Sequence, residues 1–139
     1  VQDFEKVINR AAEQASIEAI PILSEAITEI SIDDAFEILN GSDYAATQYL
    51  EEETSVDLIS EFEPIVIRAI QEMQVRKYWN FLATRYNKIP FTKKIEVNLE
   101  KYITKKAIEG LFVLVADQEK NIRRNSQARK TVILKKVFK

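Results

Sequence analysis

Apolar positions recur at three- and four-residue spacing along almost the whole chain. Phe4, Val7, Ile8, Ala11, Ala12 and Ala15 repeat with a helical period, against Glu5, Lys6, Arg10 and Glu13 on the opposite face. Ile20, Leu23, Ile27 and Ile30 continue that period as a second helix, with Pro21 in its first turn, where a missing N–H costs little. Ser31 followed three residues later by Asp34 has the form of a capping box opening a short helix, and Asn40-Gly41 supplies a left-handed residue to close it. Ser42 or Asp43 then caps a helix that runs through Glu52. Ser55 and Asp57 cap the next, whose Leu58, Ile59, Phe62, Val66, Ala69, Ile70 and Met73 run past Pro64, so a kink or restart is expected there.

In the second half the pattern predicts a helix from Arg76 to Asn87, with Tyr78, Trp79, Phe81, Leu82 and Tyr86 as its aromatic and apolar part. Lys88 to Val97 is the longest non-helical stretch. Pro90 keeps Ile89 out of the helical region, and Phe91 beside it is expected to be a buried anchor between the flanking helices. Asn98 or Thr104 opens the last long helix, with Tyr102, Ile108, Leu111, Phe112, Val115 and Ile122 towards the core. Arg123 and Arg124 complement the dipole in its last turn, and Asn125 ends it. Ser126 to Lys139 reads as a final basic helix; Thr131-Val132-Ile133-Leu134 suits a strand equally, but no partner strand is evident. Most of Val132, Ile133, Leu134, Val137 and Phe138 are expected to dock on the rest of the chain, leaving Lys135, Lys136 and Lys139 exposed. The expected fold is all-α: one orthogonal multi-helix bundle of about seven to nine helices over residues 1–139.

Composition supports helices, because two glycines and three prolines are too few to turn a sandwich or barrel. With 139 residues, 46% of them hydrophobic and 30% charged, the chain is sized for one core. The longest apolar runs, such as Leu111 to Ala116, fall far short of the ~20 residues that a membrane span needs. Zero His and zero Cys remove most zinc sites, cysteine nucleophiles, haem ligation and histidine-based acid–base catalysis. No metal, cofactor or catalytic residue is assigned. The start at Val1, with neither an initiator Met nor a basic-then-apolar stretch, reads as a mature or truncated product whose targeting information has been cut away.

Net charge is only −2, but residues 1–63 hold 16 acids and 2 bases while residues 64–139 hold 6 acids and 18 bases. Either the two halves pack with complementary surfaces or the basic half meets a polyanion. The first is the simpler expectation.

Several constellations could carry chemistry. The Asn40-Gly41-Ser42-Asp43 turn could cradle an anion, although one helix end followed by one capped start explains all four residues. The Thr47 and Tyr49 hydroxyls on the following helix fit core packing or backbone satisfaction better than substrate binding. Glu51-Glu52-Glu53 and Asp33-Asp34 fit a solvated acidic face, because adjacent helical residues point about 100° apart and do not converge on one ion. Glu109, Asp117 and Glu119 share a mostly apolar helix with Lys105 and Lys120, which fits exposed charge pairing. Arg76, Arg85, Lys88, Lys93, Lys94 and further lysines interleave with Tyr78, Trp79, Tyr86, Phe91 and Tyr102, the composition of a single-strand nucleic-acid groove or an anionic-lipid surface. Aromatic residues at helical spacing are more often core, so nucleic acid is not the favoured partner. The Arg129-Lys130 and Lys135-Lys136 pairs around Val132, Ile133 and Leu134 could also rest on lipid.

Taken together, Ile38-Leu39-Asn40-Gly41, Ala45-Ala46-Thr47-Gln48-Tyr49, Tyr86-Asn87, Ile89-Pro90-Phe91, Ala107 with Glu109-Gly110-Leu111-Phe112, Glu119-Lys120, Ile122-Arg123 and Leu134-Lys135-Lys136-Val137-Phe138 form a specific combination. Through them the chain resembles the bacterial domain of unknown function family 4197, in collinear order from about Phe4 to the C-terminus. The resemblance implies an all-helical domain of Gram-negative bacteria, usually made with an export signal and hence periplasmic or envelope-associated, with no established activity. Ser126 departs from the pattern, where a proline is frequent, as does Lys139, where Gly is common. The leading functional expectation is a non-enzymatic envelope domain that binds a partner protein or an apolar or anionic ligand. The candidate binding positions are Asn40, Gly41, Thr47, Tyr49, Tyr86, Phe91, Lys135 and Lys136. Two alternatives stand beside it: an enzyme using Asp or Glu with Tyr or Lys, and a basic-surface binder of anionic lipid or nucleic acid.

Overall fold

In the computed structural model the chain is all-helical among the described residues, which are 2–71 and 76–138, leaving aside the side chains of residues 2–5, Val7 and Lys77. The expected core positions Phe4, Val7 and Met73, and the expected exposed Lys139, fall outside the described residues. The elements are α1 (Gln2–Thr28), α2 (Ile32–Leu39), α3 (Ala45–Gln71), α4 (Arg76–Asn87), α5 (Leu99–Arg124) and α6 (Val132–Val137), with a 3-10 turn over Ser126–Ala128.

These six α-helices among the described residues replace the seven to nine expected, because three expected breaks do not occur: at Pro21, at Pro64, and at Ser55 and Asp57, which lie within α3 with the Ser55 hydroxyl donating to the Glu51 carbonyl. Pro21 lies inside α1 and Pro64 inside α3. Both are exposed, as are Ile17 and Ser60 four residues before them, so the carbonyls that lose an N–H partner can be hydrated and the helices run on. Local signals set the other boundaries. Ser31 Oγ accepts from Asp34 N at 3.1 Å and donates to the Asp34 carboxylate at 2.6 Å, and Asn98 Oδ1 accepts from Lys101 N at 3.0 Å. Gly41 ends α2 without the left-handed conformation expected of it. It is needed for space instead, since a Cβ there would lie 2.6 Å from that of Ala45 and 3.0 Å from the Glu37 carbonyl oxygen.

The long helices α1, α3 and α5 make the core, with α3 packed against both others. From α1 comes the stripe Ala11, Ala15 and Ala19, whose small side chains allow close approach of the helices. Facing residues include Leu58, Phe62 and Ile65 of α3 and Ile108 and Phe112 of α5. Because that stripe sets the rotation of α1, Ile20 and Ile27 point to solvent instead of continuing the core as expected, and Ile59 does the same on α3. A second cluster joins Val66, Ile70 and Leu99 to Trp79 and Ile103, fastening α4. There the Trp79 and Tyr102 rings lie 4.5 Å apart, centroid to centroid.

Charge complementarity does not bind the two halves of the chain. Among the described residues a single ion pair, Arg124 with Asp43, joins acidic half to basic half, and the contact between halves is otherwise made by the apolar core and by hydrogen bonds of Glu119 and Arg123 to backbone and Thr47 of the first half.

The α4–α5 connection overturns the buried-anchor expectation. Asn87 Nδ2 and Oδ1 bond the Ile95 carbonyl and N–H, each at 2.7 Å, and Trp79 Nε1 donates to the Glu96 carbonyl at 3.1 Å. These bonds close the base of the loop, with Ile95 half-buried, so residues between them are displaced outward and Phe91 is fully exposed at the tip. On α4, three of the four aromatic residues are likewise not core: Tyr78, Phe81 and Tyr86 are exposed, while Trp79 and Ala83 face inward. At the C-terminus, Leu134 and Phe138 dock while Val132, Ile133 and Val137 stay exposed, because a helix of six residues offers one narrow stripe to the surface beneath it.

Two stability measurements check these placements. Phe91→Ala should change unfolding free energy in denaturant titration by less than about 0.5 kcal/mol, the range of ordinary surface substitutions; a loss near 3 kcal/mol would place the ring in the core. Removing residues 132–139 should cost about 1–3 kcal/mol, as two half-buried side chains allow, and a truncated chain that fails to fold would show a far tighter clasp.

Candidate functional site

The first backbone N–H groups of a helix lack partners within it. In α3, those of Ala46 and Thr47 donate to Glu119 Oε1 and Oε2, each at 2.7 Å, and Thr47 Oγ1 donates to Oε2 at 2.6 Å. A carboxylate some seventy residues away thus caps the helix that Ser42 or Asp43 was expected to cap. One turn further along α5, Arg123 Nε donates to Glu119 Oε1 at 3.0 Å. Its Nη1 and Nη2 donate to the Leu39 and Ile38 carbonyls at 3.1 and 2.6 Å, at the C-terminal end of α2. Negative charge therefore meets the start of one helix and positive charge the end of another, the arrangement that helix dipoles favour. Both side chains are only 10% exposed, so Glu119 is not the exposed, lysine-paired residue expected.

Two further arginines extend this junction. Arg124 Nε bonds Asp43 Oδ2 at 2.7 Å, and the Arg124 guanidinium lowers the Asp43 pKa. Arg129 Nε and Nη2 donate to the Ile122 and Arg123 carbonyls at 2.8 and 2.7 Å, and its Nη1 reaches the Phe138 carbonyl, tying α6 to the end of α5. The Phe138 ring lies 5.4 Å from the Arg123 guanidinium and 5.8 Å from that of Arg129.

Beside the junction, α1, α2, α5 and α6 enclose an open cleft of about 810 Å3, walled by apolar side chains including Ile27, Ile38, Leu114, Leu134 and Phe138. That volume lies within the range of small-molecule sites. Glu119 and Arg123 line it too, but their polar atoms are spent on the helix ends. A smaller apolar cleft of about 470 Å3 lies between α1, α4 and α5. A polar one of about 500 Å3 surrounds the Arg76–Glu100 pair.

A family model described as "Protein of unknown function (DUF4197)" matches residues 1–139. The chain belongs to the DUF4197 family. No curated protein and no solved structure matches it.

The residues singled out from the sequence do not form one site. Asn40, Gly41, Thr47 and Tyr49 sit at the α2–α3 junction and the start of α3, Lys135 and Lys136 are exposed on α6, and Tyr86 and Phe91 lie at the opposite end of α5. Asn40 serves the end of α2, its N–H and Nδ2 both donating to the Phe36 carbonyl at 3.0 and 2.9 Å. Thr47 is buried and bonds Glu119, a carboxylate rather than the expected backbone. Tyr49 packs against the core. Burial, followed by the charges of Glu53, Asp34 and Glu29, raises its pKa, which keeps the phenol protonated. Sequence reasoning missed Glu119, Arg123 and Arg129 as a group. The available signal was that Glu119 and Arg123, four residues apart, share the helix face of Val115 and Ile122, which stand four before and three after Glu119.

Burial pushes the Glu119 carboxyl upward, but hydrogen bonds from Thr47 Oγ1, Ala46 N, Thr47 N and Arg123 outweigh it and hold the pKa below the ordinary glutamate value. The resulting stabilisation is complete above the unfolded-state pKa of about 4.3 and is lost as pH falls through the lower folded-state value. Glu119→Gln should therefore cost about 1–3 kcal/mol at pH 7 and weaken less on acidification than the parent does. Equal stability of both proteins at neutral pH, measured by urea unfolding, would show that the carboxylate cap is dispensable.

Proposed function

We propose that this DUF4197 member is a non-enzymatic binding domain of the bacterial envelope, acting as one unit over residues 1–139, and that its ligand is a small molecule with an apolar body held in the cleft between α1, α2, α5 and α6. The observation that carries the reading is the lining of that cleft. Ile27, Ile30, Ile38, Leu114, Leu134 and Phe138 present apolar surface to an open space of about 810 Å3. Apolar surface left in water at this scale is a binding surface more often than a packing accident.

The charged pair at its edge supports binding over catalysis. A general acid or base needs free reach to a substrate proton. Glu119 instead accepts four hydrogen bonds from the protein, and Arg123 donates to two carbonyls and to Glu119. Their role is to fix the α2–α3 junction, and hence the shape of the cleft. Placement in the envelope rests on the resemblance to exported proteins of the family.

Titration with a fluorescent fatty-acyl probe tests this. The parent should bind with saturation, and Leu114→Glu, at a position 65% exposed where charge does not threaten folding, should weaken binding at least ten-fold by setting a carboxylate in the apolar wall. Absence of saturable binding, or equal affinity in the variant, would remove the cleft as the site.

A further inference from the structure

The end of the chain remote from the cleft carries a second feature that packing does not explain. Phe91 is the one non-glycine residue with positive φ among the described residues, at 64°, and it is fully exposed. The left-handed region is disfavoured for a residue with a Cβ and is ordinarily given to Gly or Asn. Here it holds a large apolar side chain that meets nothing. Pro90 fixes the preceding φ, and the Asn87–Ile95 and Trp79–Glu96 bonds hold the loop base, so the ring is presented from a rigid mount.

The chain on either side of Phe91 exposes apolar and basic residues. Ile89 is 49% exposed, Phe81 54% and Leu82 61%. Residues 85–94 contain four bases, Arg85, Lys88, Lys93 and Lys94, and no acid. All four are exposed; Arg85 lies over the Phe81 ring at 4.3 Å, and Lys94 also donates to the Asn87 carbonyl. Neither apolar cleft includes Ile89 or Phe91 in its lining.

We propose that the α4–α5 loop docks on an anionic lipid bilayer, with the Phe91 ring entering the interface, Ile89 behind it, and Lys88, Lys93 and Lys94 against the lipid phosphates. Charge complementarity names the anionic partner, and shape favours a bilayer: a ring projecting from the tip of a turn needs a surface that yields around it. A large apolar side chain buries at the headgroup–acyl boundary, and each lysine near an anionic surface strengthens attachment about five-fold. Because the loop is already ordered, docking incurs little loss of conformational freedom.

The chain has no cysteine, so Phe91→Cys provides a single labelling position. With an environment-sensitive fluorophore there, emission should shift to the blue on vesicles of phosphatidylcholine containing about one-third phosphatidylglycerol, and not on phosphatidylcholine alone. In co-sedimentation with the anionic vesicles, Phe91→Ala should reduce partitioning at least ten-fold and Phe91→Leu only a few-fold, because depth of apolar burial matters and aromaticity does not. Leu114→Glu should partition like the parent, which separates this surface from the cleft. The proposal is overturned by an unshifted emission on anionic vesicles, by equal partitioning of Phe91→Ala and the parent, or by loss in Leu114→Glu. It is also overturned if the parent binds a single-stranded oligonucleotide in preference to vesicles and Phe91→Leu abolishes that binding, which would assign the ring to base stacking.

Discussion

Glu119 and Arg123 are the point through which α2, α3 and α5 are joined. Two short connections meet there, and each helix end brings polar groups that must find partners when water is excluded. A carboxylate suits the donors at the start of α3, a guanidinium suits the carbonyls at the end of α2, and their i,i+4 spacing on α5 lets each also satisfy the other. Removing either member would leave an opposite charge in a nearly buried place, which is why such pairs are costly to break even when their net contribution is small. The cleft inherits its form from this junction, since the same helix ends make part of its wall.

Much of the helical plan was readable in the sequence because it is written in local terms. Ser31 with Asp34, Asn98, and the Arg123–Arg124 turn followed by Asn125 are boundaries set by groups within a few residues of one another. The misreadings came where the decision was not local. Pro21 and Pro64 read as breaks, but each falls on a hydrated face, and only the packed structure shows which face that is. The cap of α3 could not be found among its neighbours because it comes from Glu119. Phe91 was read by its hydrophobicity, whereas its place was decided by Asn87, whose side chain closes the loop beneath it.

Of the site, the sequence made Thr47, Phe91 and the family pattern around Asn40 and Phe138 visible, but not how they are grouped. Tyr86 and Phe91 belong to one end, and Thr47 and Phe138 to the other. The apolar cleft was illegible for a simple reason: its walls come from α1, α2, α5 and α6, and Ile27 or Leu114 looks like any core residue until the packing leaves it uncovered. Nor did the charge asymmetry mean what it first suggested. The halves meet through the apolar core, the Glu119–Arg123 junction and one ion pair, Arg124 with Asp43, so most of the acidic and basic surface stays available to the surroundings.

α5 begins with Leu99 at the base of the Phe91 loop and reaches the cleft wall at Leu114, about 22 Å further along at the rise of an α-helix. The helix is therefore a ruler as well as a core element. A surface engaged at the loop end and a molecule held in the cleft are kept about 22 Å apart or more by the helix between them. The two ends therefore cannot serve one small ligand together, and the length of α5 fixes how far apart they stand.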